Sequence, residues 1–159
     1  MGHPLARMTT PEVLRADWEA APLDESIQSI PLCFDAPTAF SLRGDQRNMY
    51  VLPDPALVWS SLAGYWDELA ADNRQEAVRE FVTDHVVVSY HRLQTVMLRF
   101  PDHPQIGFTG DVTFKILNPA HPDLTRHLNR LADLAFYTGL GSKTTMGMGQ
   151  VRRMGREER

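Results

Sequence analysis

At 159 residues, with 43% hydrophobic composition and a net charge of -4, the chain is sized for one main globular domain, and its single cysteine, Cys33, excludes an internal disulfide. It has no apolar run long enough to span a bilayer and no secretory pattern at its N-terminus, so a cytoplasmic setting is expected. The net charge conceals an asymmetry: residues 1–84 carry 6 basic and 14 acidic side chains, and residues 85–159 carry 10 and 6, so a polyanion would be drawn to the C-terminal half.

Residues 1–26 read as a leading segment or interdomain linker, punctuated by Pro4, Pro11 and Pro22, with Thr10-Pro11-Glu12 starting a short helix through Trp18. From Ile27 onward an apolar run with Ile30, Leu32 and Phe34 in alternation predicts a first strand, broken at Asp35-Ala36-Pro37-Thr38. Gly44-Asp45 signals a turn. Asp54 is placed to cap a helix that opens on Pro55 and carries Val58, Leu62, Tyr65, Trp66 and Leu69 at helical spacing. A second helical stretch, 74–82, follows a break at Ala71-Asp72-Asn73. Its acids, with Glu68, Glu76 and Glu80 among them, read most simply as a solvated face.

Val86-Val87-Val88 opens a strand-rich region that runs through Phe100, and Pro101-Asp102-His103-Pro104 turns the chain. Ile106, Phe108, Val112, Phe114 and Ile116 then alternate with polar residues and glycine, the period of a half-buried strand. A second amphipathic helix, entered through Pro119 to Asp123, sets Leu124, Leu128, Leu131 and Ala135 on one stripe and stops at Gly139. A last short strand, 150–154, precedes a flexible charged tail at 155–159. This order predicts an α+β fold of the ferredoxin-like (RRM-like) kind in one domain over 27–154: an antiparallel sheet, two helices on one face, and a glycine-rich loop before the last strand.

That loop concentrates four of the ten glycines, as Gly139-x-Gly141 and Gly147-x-Gly149, around Ser142-Lys143-Thr144-Thr145. Glycine permits positive φ and close backbone approach, so two such pairs around a lysine suggest amides facing an anion, with a phosphate-bearing partner as the first reading. The alternative is a tight helix-to-strand connection in which the glycines serve packing alone. The spacing matches neither a P-loop nor a dinucleotide fingerprint, which disfavours a nucleotide cofactor. No His, Cys or acid spacing resembles a zinc site.

The glycine loop is one of several stretches with a familiar wording. Phe34-Asp35-Ala36-Pro37-Thr38-Ala39-Phe40, Leu52-Pro53-Asp54-Pro55 leading into the helix with Trp66, Val86-Val87-Val88-Ser89, Gly107-Phe108-Thr109-Gly110-Asp111-Val112-Thr113-Phe114 and the run Phe136 to Val151 recur in order, the last being the most specific. Through them the chain, from residue 27 onward, resembles the C-terminal domain of the CRISPR-associated precursor-RNA-processing endoribonucleases of the RAMP superfamily. The resemblance implies binding of CRISPR repeat RNA and cleavage without metal or cofactor, in which a ribose 2′-hydroxyl attacks the adjacent phosphorus. In that family the catalytic histidine belongs to an N-terminal ferredoxin-like domain, and this sequence starts near the linker between the two domains. No catalytic role is therefore carried over to His3, His85, His91, His103, His121 or His127. The expectation is a repeat-RNA-binding half, either truncated or naturally separate and inactive alone, with CRISPR repeat or guide RNA as partner and a separate N-terminal-domain subunit or CRISPR effector subunits as candidate protein partners.

The RNA-binding candidates are Gly139, Gly141, Ser142, Lys143, Thr144, Thr145, Gly147 and Gly149, extended by Arg152 and Arg153, of which only one can share the loop's face. His91, among Tyr90, Arg92 and Arg99, is a further candidate for base stacking and phosphate contact. Two other readings stay open. One is a non-catalytic subunit that holds guide RNA in a CRISPR effector, with Trp18 and Leu23 exposed to a partner; the other is a compact endoribonuclease that uses its own histidine, His91 being the candidate.

Overall fold

The computed structural model describes residues 10–19, 21, 25–42, 49–117 and 121–155. Helix α1 (Pro11–Glu19) is followed by a single turn, α2 (Glu25–Gln28), and strand β1 (Ser29–Thr38). A short ribbon of β2 (Phe40–Ser41) and β3 (Met49–Tyr50) precedes α3 (Pro55–Ala70) and α4 (Gln75–His85). Strands β4 (Val86–Arg99) and β5 (Pro104–Ile116) form a long hairpin, and α5 (Pro122–Thr138), a 3-10 turn (Thr144–Met146) and β6 (Val151–Arg153) complete the order. The main sheet runs β4-β5-β1-β6 with every neighbouring pair antiparallel, the ferredoxin-like arrangement. The expected Gly44-Asp45 turn, Leu23 and the tail beyond residue 155 lie outside the described residues.

Local chemistry explains most boundaries. The Asp54 carboxylate accepts from the Leu57 amide at 3.1 Å and Pro55 supplies the first helical residue, so α3 starts where the sequence places it. Asp54→Ala is expected to lower stability by about 1 kcal/mol, read as a shift in urea midpoint at constant slope. Helix α3 ends where Ala71 and Asn73 take positive φ. Helix α4 has no cap of its own; Asp67 reaches over from α3 and accepts from the amides of Arg74 (2.9 Å) and Gln75 (2.8 Å). It continues to His85, three residues beyond the 74–82 stretch, because Phe81 and Val82 are buried and hold its last turn.

Two further expectations are corrected. The first strand does not break at Asp35: the amides of Asp35 and Ala36 donate to the Gln150 carbonyl, and Thr38 pairs with Phe108 across a register shift that absorbs Pro37. Leu69 is exposed, and Trp59 and Ala63 take its place in the core beside Val58, Leu62 and Trp66. Trp59 meets Phe114 edge-on at 5.4 Å, and Phe34 meets Phe108 at 4.8 Å, joining the helical layer and the sheet around Ile30, Leu32 and Val112.

Helix α1 is docked, with Leu14 buried in the same core. Trp18, read from the sequence as exposed to a partner, instead donates its indole N–H to Asp133 at 2.7 Å, while the Arg153 guanidinium stacks over its ring at 4.8 Å. Arg126 donates twice to the Ala21 carbonyl, and Arg15 pairs with Asp72 at 2.9 Å. Helix α5 is consequently enclosed on several sides, and its buried set includes Thr125, His127, Asn129, Arg130 and Asp133 as well as Leu128, Leu131 and Ala135. Asn129 and Asp133 are satisfied there by Ile27, Thr125, Trp18 and Arg153. His127 is not: it is 0% exposed, neither ring nitrogen has a partner among the described residues, and its ring lies edge-on to Trp66 at 5.5 Å.

Candidate nucleic-acid interface

The glycine loop folds back on the end of β1. The Gly149 amide donates to the Pro37 carbonyl (3.0 Å), the Ser142 amide to Ala39 (2.8 Å), and the Gln150 carbonyl receives Asp35 (2.9 Å) and Ala36 (3.3 Å). These bonds join the stretches 34–40 and 137–151, the two most distinctive wordings of the sequence, although about a hundred residues of chain separate them. Inside the loop, Leu140 donates to Gly149, Met146 and Met148 both donate to Lys143, and Gly147 donates to Thr144. Six loop amides are thus used to close the fold, so these six do not face an anion. The side chains of Ser142, Lys143, Thr144 and Thr145 are available to meet a partner.

Positive φ at Gly139, Gly141, Gly147 and Gly149 shapes the loop. At Gly141 a Cβ would lie 2.4 Å from the Ala39 carbonyl oxygen, so that position also needs the missing side chain for close approach. Lys143 shares the left-handed conformation, with φ 58 and ψ 35. A side chain there costs backbone energy that glycine would avoid, as it does at Ala71 and Asn73. Its ammonium lies over the Phe100 ring, 5.8 Å from the centroid. Phe100 stands at the end of β4, so the hairpin turn and the glycine loop come together at one end of the sheet. The sequence marked that turn through Pro101-Asp102-His103-Pro104 but carried no signal that it meets residue 143.

The structure separates the other candidates. Arg152 lies on the sheet face away from the helices and pairs with Asp35 at 3.0 Å. Arg153, its neighbour, points the other way, where it meets Asn129 at 2.6 Å and Asp133 at 3.6 Å beneath α1. Tyr90 and Arg92 pair with Thr113 and Asp111 on the helix-free face, whereas His91 pairs with Val112 on the helix side. Arg99 is eight residues further along the strand from His91, about 26 Å, so the cluster seen in sequence does not assemble.

The helix-free face carries charges of both signs. Arg92, Asp111, Cys33 and Arg152 form one row across all four strands. Cys33 donates to Asp35, and its thiol is pushed up to about 12 by burial and then by hydrogen bonding to Asp35 and Asp111, so it stays protonated. With Asp111 in the row, Asp35 beside it and Tyr90 the one exposed aromatic on this face among the described residues, the described part of the face lacks the stacking platform of RRM-type RNA readers. Among the described residues no group of three His, Cys, Asp or Glu side chains could hold a metal ion, and no helix is long and apolar enough to cross a membrane.

Comparison with known proteins covers the same core and loop. Residues 32–151, more than half of the chain, match the family described as CRISPR-associated endoribonuclease Cas6. A Cas6 of Streptococcus thermophilus is 25% identical over 131 residues, which make up 81% of this chain and 52% of that protein. A Cas6 product complex superposes with a TM-score of 0.78 at 29% identity, over 98% of this chain and 60% of the other. Cas6 of Thermus thermophilus gives 0.78 at 30% identity, over 96% and 61%. The chain therefore spans about half the length of the curated relative and about three fifths of these solved structures. On the family match and the shared fold, the chain belongs to the CRISPR-associated endoribonuclease Cas6 family.

Proposed function

We propose that this chain is the repeat-RNA-binding half of a Cas6-type enzyme that processes precursor CRISPR RNA, with the glycine loop as a backbone clamp. The observation that carries this reading is Lys143, held in a costly left-handed conformation on a loop bonded to residues 35–39 within the family-matched span. Lys143 contacts a phosphate, Ser142, Thr144 and Thr145 donate hydroxyl hydrogen bonds, and the four glycines shape the loop. Arg152 flanks the clamp from β6, whereas Arg153 acts as a support for α1. A general base comes from the part of the enzyme that this chain does not share with the longer Cas6 proteins.

Lys143→Ala is expected to weaken binding of CRISPR repeat RNA and to reduce the salt dependence of binding by about one phosphate contact. Filter binding across a salt series measures both quantities, and unchanged affinity and slope would remove Lys143 from the interface. Incubating the chain alone with repeat RNA in chelator should leave the RNA intact. A cut at a defined position would instead make it a self-sufficient nuclease.

A further inference from the structure

The turn of the β4–β5 hairpin carries an aromatic with no role in the core. Phe100 is half-buried, yet it belongs neither to the buried cluster nor to the hydrophobics packed against it. It lines an open recess of about 360 Å³ with Met97, Arg99, Pro101, Asp102, His103 and Pro104. The lining pairs apolar surface from Met97, Phe100 and two prolines with donors from Arg99 and His103 and one acceptor, Asp102. A nucleobase requires that combination: a flat apolar face to stack on and polar groups around its edge. A fully paired base presents neither its face nor its pairing edge, so the recess suits an unpaired nucleotide.

Lys143 connects this recess to the clamp, because its ammonium rests over the Phe100 ring. A cation on an aromatic face and a base on the same face compete for one surface. We propose that an unpaired base of the bound RNA stacks on Phe100 in place of the Lys143 ammonium, which then turns to the phosphate beside that base. This rests on the reading of the glycine loop as an RNA clamp. It adds a strand requirement: the RNA must present an unpaired nucleotide next to the clamped phosphate.

The test uses repeat RNAs carrying 2-aminopurine at one position at a time, unpaired and paired positions alike, titrated with the wild-type chain and with Phe100→Leu, Phe100→Trp and Lys143→Ala. One unpaired position should be quenched by the wild type. Phe100→Leu should lose the quenching and bind about tenfold more weakly, within the range for one base stack, and Phe100→Trp should keep both. An abasic nucleotide at the quenched position should cost the wild type a similar factor and cost Phe100→Leu nothing more. Wild-type affinity in Phe100→Leu, with Lys143→Ala weakened, would overturn the stacking inference and leave the clamp standing. Wild-type affinity in both would overturn the clamp reading itself. Quenching confined to a paired position would replace the unpaired base with end-stacking on a stem and so overturn the strand requirement.

Discussion

Gly149→Ala is expected to cost about 3 kcal/mol of stability and to abolish RNA binding, whereas Gly147→Ala, two residues away at a similar φ, costs about 1 kcal/mol. Both positions have positive φ, 77 and 89, so the conformational penalty for a side chain is shared. The difference is in what the new Cβ meets. At Gly149 it would lie 2.1 Å from the Leu140 carbonyl oxygen, and at Gly147 nothing lies within 4 Å. Backbone cannot yield at Gly149 without giving up two hydrogen bonds, Leu140 to Gly149 at 2.9 Å and Gly149 to Pro37 at 3.0 Å. Those bonds seat Leu140, Met148 and Val151 in the interior and hold Lys143 at the hairpin turn. Urea unfolding and RNA titration of both variants measure the contrast. Equal losses at the two positions would mean that the loop tolerates displacement and is not the rigid clamp described above.

Acid is expected to weaken the fold through His127, by about 3 kcal/mol between pH 6.5 and pH 4. Burial, and then the charges of Arg74 and Arg130, push this imidazole down from 6.5 to about 4. A histidine with a lowered folded pKa keeps its full contribution above the unfolded value. As pH falls below 6.5 the unfolded chain takes up the proton first, and stability is lost progressively until the folded pKa is reached. His127→Phe leaves a ring beside Trp66, removes two buried nitrogens that lack partners, and should flatten the pH dependence in this window. Unfolding of both chains at pH 7 and pH 4.5 reads the difference directly. Parallel losses in the two proteins would show that other groups carry the titration.

Reading the fold from the sequence succeeded where the signal was local. The Asp54-Pro55 start of α3, the hairpin turn at 101–104 and the stop of α5 at Gly139 each rest on a few adjacent residues, and each appears at its expected place. The buried side of α5 was legible in part. Leu128, Leu131 and Ala135 formed a visible stripe, but the burial of Asp133 depends on α1 and β6 arriving from either end of the chain, and His127 lies against Trp66 of α3. Trp18 was misread for the same reason. An aromatic in a proline-punctuated leader looks exposed until Asp133 and Arg153 are seen beneath and above it.

By itself the sequence determined the order of the elements, the alternation that gives the sheet one apolar face, and the glycine positions that let 139–149 turn tightly. Periodicity, capping and positive φ are properties of neighbours along the chain, so they can be read in order. Only the tertiary structure decided how the loop is held and what it lies against. It placed 142 and 149 against the backbone of 37–39, used six of the loop's amides for closure, put Arg152 and Arg153 on opposite faces, and brought Phe100 under Lys143. Those contacts join residues tens of positions apart, and they follow from how strands pair and how α5 crosses the sheet rather than from the wording of any one stretch.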